Sequence, residues 1–247
     1  MNAYDRIAPY YRMLFEGQDK AIQTQDVQWL DEMFQSRGIK TVLDCGCGDG
    51  FHAIPLAQLG YQISGADKSR GMIRQARKNS QQAGIDLSWT VLDFLKLDKR
   101  FSPGSFQAVL VLGHGLAHLS SEKTLLAALK QMKNVLSPLG WLVADLPDIQ
   151  PLKALPPLSE GHHDRVMGKD LFLFSQRVFD EDEVTLNLFY VENVSKRCRA
   201  KKWTLHFRCW SARVLTSLAA QAGLRLIESG AACGGKGHHY IFERPAL

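Results

Sequence analysis

Thr41–Gly50, reading TVLDCGCGDG, decides the fold. A β-branched and aliphatic run ends in an acid, Asp44, and glycines follow at 46, 48 and 50. A run of this kind is a buried strand, and glycines directly after it let the backbone turn tightly and approach a ligand closely. The sixth position of a G-x-G-x-x-G reading is Phe51, so the third glycine of a dinucleotide fingerprint is missing and a Rossmann dehydrogenase is disfavoured. The acid at the strand end can accept hydrogen bonds from a cation or an ammonium group.

Outward from this stretch, strand and helix signals alternate up to about residue 149. Strand-like runs occur at YQISGA (61–66), LSWTVL (87–92), QAVLVL (107–112) and WLVADL (141–146). One helix starts at Ser69 as N-cap, puts Met72, Ile73 and Ala76 on one face and stops near Gly84. Another starts near Ser121, carries Leu125, Leu129, Met132 and Leu136 on one stripe and ends at SPLG. Strands joined by helices of this length imply right-handed crossovers and an α/β, doubly wound, mostly parallel sheet. After the proline-rich stretch from Pro147 to Pro157, three strand-like runs follow without helices: DLFLFSQRVFD, EVTLNLFYVEN and KKWTLHFR. They predict a small antiparallel β insertion after the fifth strand. A helix over 211–223 and the strands LRLIES and HHYIFER then return to the main sheet and make it seven-stranded. The expected organisation is one domain from 1–149 with 209–247, and an insertion over 150–208 that folds across the carboxyl edge, where open α/β sheets bind ligands.

Composition narrows the classes. The chain has 247 residues, 45% of them hydrophobic, and a net charge of +5, much of it from KRCRAKK (196–202), which reads as a solvated turn. Five cysteines without paired C-x-x-C spacing argue for free thiols, against a disulfide framework and a structural zinc site. MNAYDRIAPYYRMLFEG lacks the basic and apolar regions of a signal peptide, and no apolar run is long enough for a membrane span. A cytoplasmic location and no membrane partner are expected. No internal repeat or low-complexity segment is present.

Two further acids share the placement of Asp44. Asp67 ends the second strand (ISGADKS), where it can accept from both hydroxyls of a ribose; Asp93 ends the third (WTVLDF), where it can accept from an adenine amine with Phe94 beside the ring. Together they imply an adenosine with a positively charged tail. His114 and His118 stand at i and i+4, but no third ligand has a suggestive spacing, so no metal is assigned. His162–His163 and His238–His239 read as surface or loop pairs, and Cys45 and Cys47 as small residues beside the loop.

The ordered set VLDCGCGDG, ISGADKS, VLDF and VLVLGHGLAHL resembles the class I S-adenosylmethionine-dependent methyltransferases, which have a Rossmann-like fold. It is closest to the glycine/sarcosine N-methyltransferase-like branch, whose N-terminal helix YDRIAPYYRMLFE resembles. The resemblance implies S-adenosylmethionine as cofactor, S-adenosylhomocysteine as product and a small-molecule acceptor methylated on nitrogen or oxygen. It also implies a cofactor-binding set of Tyr11, Asp44, Gly46, Gly48, Asp67, Lys68, Met72, Asp93, Phe94, Leu112 and His118. In that set Gly46 contacts the methionine portion, Leu112 and His118 line the fourth-strand wall, and Tyr11 closes over the cofactor. His114 and Tyr11 are the candidates to assist catalysis if the acceptor must lose a proton. The chain departs from the branch at Pro147, near the place of an arginine that grips a glycine carboxylate, which disfavours glycine as acceptor. Leu139–Gly140 replaces a glycine pair, and Gln107 an acid. The alternatives are an RNA-modifying enzyme and a non-catalytic cofactor-binding module; nucleic acid is the disfavoured partner because the base-modifying motifs are missing, and a homo-oligomer is left open.

Overall fold

The computed structural model describes residues 2–15, 19–147, 165–166, 171–194, 197–231 and 237–246. The chain starts with α1 (Ala3–Ile7), a 3-10 turn (Ala8–Tyr10), α2 (Tyr11–Phe15) and α3 (Asp19–Arg37). It then alternates through β1 (Thr41–Cys45), α4 (Ala53–Gln58), β2 (Gln62–Asp67), α5 (Arg70–Gln82) and β3 (Ser88–Val91). A 3-10 segment (Phe94–Lys99) leads to β4 (Phe106–Val111), a 3-10 turn (Gly115–His118), α6 (Glu122–Val135) and β5 (Leu136–Pro147). Four strands follow: β6 (Arg165–Val166), β7 (Leu171–Asp180), β8 (Glu183–Val194) and β9 (Arg197–Arg208). The chain closes with α7 (Ala212–Gln221), β10 (Arg225–Ala231) and β11 (Gly237–Glu243).

The main sheet has seven strands in the order β10-β11-β5-β4-β1-β2-β3, and β11 runs antiparallel to both of its neighbours. The alternation of side chains splits the core in two. Val42, Leu110, Trp141, Val143 and Ile241 pack with Val27, Leu30 and Phe34 of α3, whereas Leu43, Val109, Leu142 and Phe242 pack with Leu125, Leu129 and Met132 of α6 and Leu215 of α7. Helices therefore cover both faces, as expected for a doubly wound sheet. The capping residues Ser69, Ser121 and Ser211 each accept a hydrogen bond from a first-turn backbone N–H, at the starts of α5, α6 and α7. The second sheet, order β6-β7-β8-β9, is antiparallel throughout. Its residues Leu186, Leu188, Tyr190, Trp203 and Leu205 form a third cluster with Ile7, so the N-terminal helices lie against it.

Three sequence expectations need correction, and one helix went unread. Leu136 is the first residue of β5, not the last apolar position of α6: it opposes Phe106, the register then jumps so that Ala108 opposes Trp141, and 137–140 bulge outward. In that bulge Leu139 takes a left-handed φ of 61°, a conformation that favours glycine, and its N–H donates to the Arg244 carbonyl at 2.8 Å. The basic run is not a turn. Arg197–Lys202 opens β9, pairs residue by residue with β8, and leaves its side chains exposed on an edge strand, an arrangement that discourages further strand pairing. His238 and His239 belong to β11, as the strand reading of HHYIFER has it, but His239 is buried and not part of a surface or loop pair. The 19-residue α3, whose buried positions Val27, Leu30 and Phe34 are interleaved with charged and amide side chains, was not anticipated at all. Residues 148–157, His162–His163, Lys196 and Cys233 lie outside the described residues.

Candidate active site

The glycine loop is built by backbone conformations that side chains resist. Gly46, Gly48 and Gly50 have φ of 74°, 55° and 89°, in the left-handed region that favours glycine. A Cβ at Gly46 or Gly48 would meet nothing within 4 Å, so the space above the loop is open; at Gly50 it would strike Ile54 Cδ1 at 2.8 Å. The loop is pinned to β2: the Gly46 and Cys47 N–H groups both donate to the Ala66 carbonyl, at 2.7 and 3.1 Å. Asp67 completes the fastening, its carboxylate accepting from Gly48 N–H at 3.1 Å and Ser69 N–H at 2.7 Å. Burial raises the Asp67 pKa, and those two backbone donors pull it back only in part. Each oxygen still has a lone pair to offer.

Asp44 lies deeper, 2% exposed, and its Oδ2 has no partner. Burial raises it to about 6, against the opposing pull of nearby His52. His52 sits 3.3 Å from Asp26 on α3. Burial disfavours its imidazolium, but the Asp26 hydrogen bond and Asp44 outweigh that and leave its pKa raised. Asp49, 1% exposed, receives Arg12 Nε of α2 at 2.6 Å and Asn79 Nδ2 of α5 at 3.2 Å on one oxygen. Its Oδ1 has no partner. Asp93 caps the 3-10 segment, accepting from Leu95 N–H at 2.9 Å, and the half-buried Phe94 follows it. Lys68 is exposed beside Asp67, and Met72 is buried in the first turn of α5.

At the end of β4, Leu112 packs on the α3 side of the core. Gly113 and His114 then turn with φ of 67° and 64°, and both N–H groups donate to the Asp145 carboxylate of β5, at 3.0 and 2.8 Å. His114 Nδ1 stands 3.5 Å from Asp145 Oδ2, close enough for an ion pair but without hydrogen-bond geometry. His118 has both nitrogens engaged: Tyr4 Oη lies 2.8 Å from Nε2, and the His206 carbonyl of β9 lies 3.2 Å from Nδ1. The tautomer that serves both carries its proton on Nδ1. Burial depresses the His118 pKa to about 4, which keeps the ring neutral. Tyr11 is half-buried, its ring 6.3 Å from that of Tyr4. The N-terminal segment is thus fastened at four points: Tyr4 on His118, Asp5 on Ser69 Oγ and Gly71 N–H at 2.8 Å each, Arg12 on Asp49, and Tyr10 on Lys201 of β9.

The structure brings Asp44, Gly46, Gly48, Asp67 and Leu112 together along the carboxyl ends of β1, β2 and β4, with Asp93 and Phe94 after β3 and Tyr11 and His118 toward the second sheet. Four site residues escaped the sequence reading: Tyr4, Arg12, Asp49 and Asp145. Asp145 had a usable signal, a strand-end acid in VADLP like the other three; Tyr4 and Arg12 had none, because their partners lie 114 and 37 residues away. Among the described residues no group of three or more histidines, cysteines or acids could hold a metal ion.

Residues 42–140 match the family model of a methyltransferase domain. A glycine/sarcosine N-methyltransferase of Halorhodospira halochloris is 31% identical over 111 residues, 45% of this chain and 41% of that protein. The glycine N-methyltransferase of Rattus norvegicus is 31% identical over 144 residues, 53% of this chain and 48% of that one. The chain therefore spans less than half the length of these curated relatives. Among solved structures, a sugar N-methyltransferase from a Streptoalloteichus species superposes with a TM-score of 0.79 at 21% identity, covering 96% of this chain and 93% of that one. That likeness shows the fold.

Proposed function

We propose that this chain is a class I S-adenosylmethionine-dependent methyltransferase that methylates a small-molecule acceptor, a reading supported by the methyltransferase-domain match over residues 42–140 and by the fold. The observation that carries the reading is the buried Asp44 carboxylate, with an unpartnered oxygen beside an open glycine loop and flanked by strand-end Asp67 and Asp93. A buried carboxylate oxygen without a donor is costly, and a cofactor ammonium group supplies the missing one. Gly46 and Gly48 let the methionine portion approach the backbone, Asp67 takes the ribose, Asp93 and Phe94 the adenine, and Lys68, Met72 and Leu112 line the remaining walls. S-adenosylmethionine supplies a methyl group on a sulfonium: an acceptor lone pair bonds to carbon while the carbon–sulfur pair returns to sulfur, leaving S-adenosylhomocysteine.

The protein's part is to align the acceptor and exclude water. His114, beside Asp145, serves as proton acceptor for an acceptor that arrives protonated, and Tyr11 closes the cofactor side. His118 acts as a wall, since Tyr4 and His206 occupy its nitrogens. The second sheet within 150–208 serves as a lid for the acceptor, a reading supported by the contact of β9 with the His118 turn. We place the protein in the cytoplasm, supported by Cys45, Cys47 and Cys198 standing as thiols. No helix among the described residues is long and apolar enough to cross a membrane. Titration calorimetry with S-adenosylhomocysteine tests the reading: saturable binding is expected, and no binding to the folded protein defeats it.

A further inference from the structure

One face of the sheet carries a polar row that starts at Asp44, the proposed ammonium contact of the cofactor, and runs on beyond it. Val42, Val143 and Ile241 pack against α3, so by strand alternation Asp44 of β1, Asp145 of β5 and His239 of β11 project to the same side, nearer the carboxyl edge. His239 and Asp145 are direct partners in the β11–β5 ladder. From α3, Trp29 packs on His239 with ring centroids 4.2 Å apart and planes tilted by 40°, and Asp26 reaches His52. Of the four buried side-chain atoms without a partner among the described residues, three belong here: Asp44 Oδ2, His114 Nδ1 and His239 Nδ1. His239 is 7% exposed, and burial pushes its pKa down, so its ring is neutral. His114, Asp145 and Asp26 remain partly accessible, so solvent reaches the row from the carboxyl edge.

The charges in the row are one-sided. Asp26, Asp44 and Asp145 supply three carboxylates, His52, His114 and His239 supply imidazoles, and Trp29 and Leu112 supply apolar wall; none of these residues is a lysine or an arginine. We infer that the part of this row formed by His114, Asp145 and His239, facing Asp26 and Trp29, is the acceptor subsite and takes a small amine with a positively charged nitrogen and no carboxylate. The inference rests on the methyltransferase reading and narrows it. An ammonium finds Asp145, already oriented by two backbone N–H donors, and an aromatic wall in the Trp29–His239 pair. A carboxylate would lose its hydration against Asp145 and Asp26 with no lysine or arginine among the described residues of the row to pair with it, which is how a site rejects the wrong ligand. Glycine and sarcosine, named for the relatives, each carry such a carboxylate.

The test uses the protein saturated with S-adenosylhomocysteine and four probes: benzylamine and ethanolamine against benzoate and glycine, followed by saturation-transfer NMR and calorimetry. Both amines are expected to bind and both carboxylates to fail. Asp145→Asn should weaken amine binding by roughly 30-fold or more, the effect of discharging one partner of a buried charged contact, and leave S-adenosylhomocysteine affinity unchanged. Should Asp145→Asn not fold, Asp26→Asn on the partly exposed face of α3 is read in its place, with the same direction expected. Binding of benzoate or glycine as tight as that of the amines, amine binding unmoved by the folded variant, or no amine binding at millimolar concentration overturns the inference while leaving cofactor binding, and the methyltransferase reading, intact. Loss of S-adenosylhomocysteine binding by the wild-type protein would instead defeat both.

Discussion

Asp67→Ala tests the cofactor assignment at the residue that does two jobs. In the folded chain the carboxylate accepts from Gly48 N–H at 3.1 Å and from Ser69 N–H at 2.7 Å, and in the proposed complex it also accepts from ribose hydroxyls. Truncation leaves the hydroxyls without an acceptor in a site from which water is excluded, a loss of about 1–3 kcal/mol. At about 1.4 kcal/mol per decade this is roughly 5- to 150-fold in dissociation constant. The backbone donors of Gly48 and Ser69 stay behind in both the free and bound variant, so their cost, about 1 kcal/mol, falls mainly on folding. The two contributions separate experimentally: calorimetry with S-adenosylhomocysteine reads the first, and chemical denaturation without ligand reads the second. Asp67→Asn keeps one carbonyl oxygen as acceptor and should lose less affinity than the alanine variant. Unchanged affinity in a folded Asp67→Ala protein would refute the placement of the ribose at the end of β2.

Two more outcomes follow from buried groups. Asp44 is raised from the ordinary carboxylate value to about 6, so the folded chain without ligand holds a proton that the unfolded chain has released. The stability this group contributes is present below about pH 4 and lost as pH rises through about 6. A cofactor ammonium favours the ionised form, so S-adenosylhomocysteine affinity should rise across the same window and Asp44→Asn should abolish that rise; a flat wild-type profile would count against Asp44 as the ammonium site. Gly65→Ala should destabilise by about 1–3 kcal/mol, because the new Cβ would lie 2.3 Å from two ring atoms of Trp89, whose Nε1 is held by Ser80 Oγ. A denaturation midpoint equal to wild type would show that Trp89 can move aside.

The parts of the fold that were legible are those in which local chemistry and tertiary packing agree. β1 was read residue for residue because TVLDC is apolar and β-branched and its glycine loop marks the end. The starts of α5, α6 and α7 were read at Ser69, Ser121 and Ser211, the first of them as a cap, and all three serines do cap. Strand-end acids drew attention to the proposed cofactor side for a related reason: a carboxylate at the end of a buried parallel strand has few structural uses. What stayed hidden depends on long-range pairing. His239 looked like half of a surface pair, and only the insertion of β11 beside β5 under Trp29 buries it. Lys201, the last but one residue of the basic run and the first of the strand-like KKWTLHFR, looked solvated, but it closes on the Tyr10 ring, 4.3 Å from its centroid, 191 residues away in sequence. The bulge at 137–140 was missed because it is set by hydrogen bonds to and from Arg244, Leu139 N–H to its carbonyl and its N–H to Gly140. Gln107, read as a tolerable replacement for an acid, accepts from the N–H groups of Lys40 and Thr41 at 2.7 and 3.1 Å, which an acid in that place would also do.

The position of β11 has a consequence for synthesis on the ribosome. Although it lies near the end of the sequence, it sits inside the sheet, hydrogen-bonded to β5 on one side and β10 on the other. Until residues 237–243 leave the exit tunnel, β5 presents a bare row of amides and carbonyls, and the apolar side chains of Trp141, Val143 and Leu142 lack one flank. Such an edge is a template for pairing with another nascent chain on the same messenger. Translation that stops after Ala231 would therefore not trim a margin but leave an aggregation-prone groove in the interior of the sheet, with β10 detached from everything it pairs with.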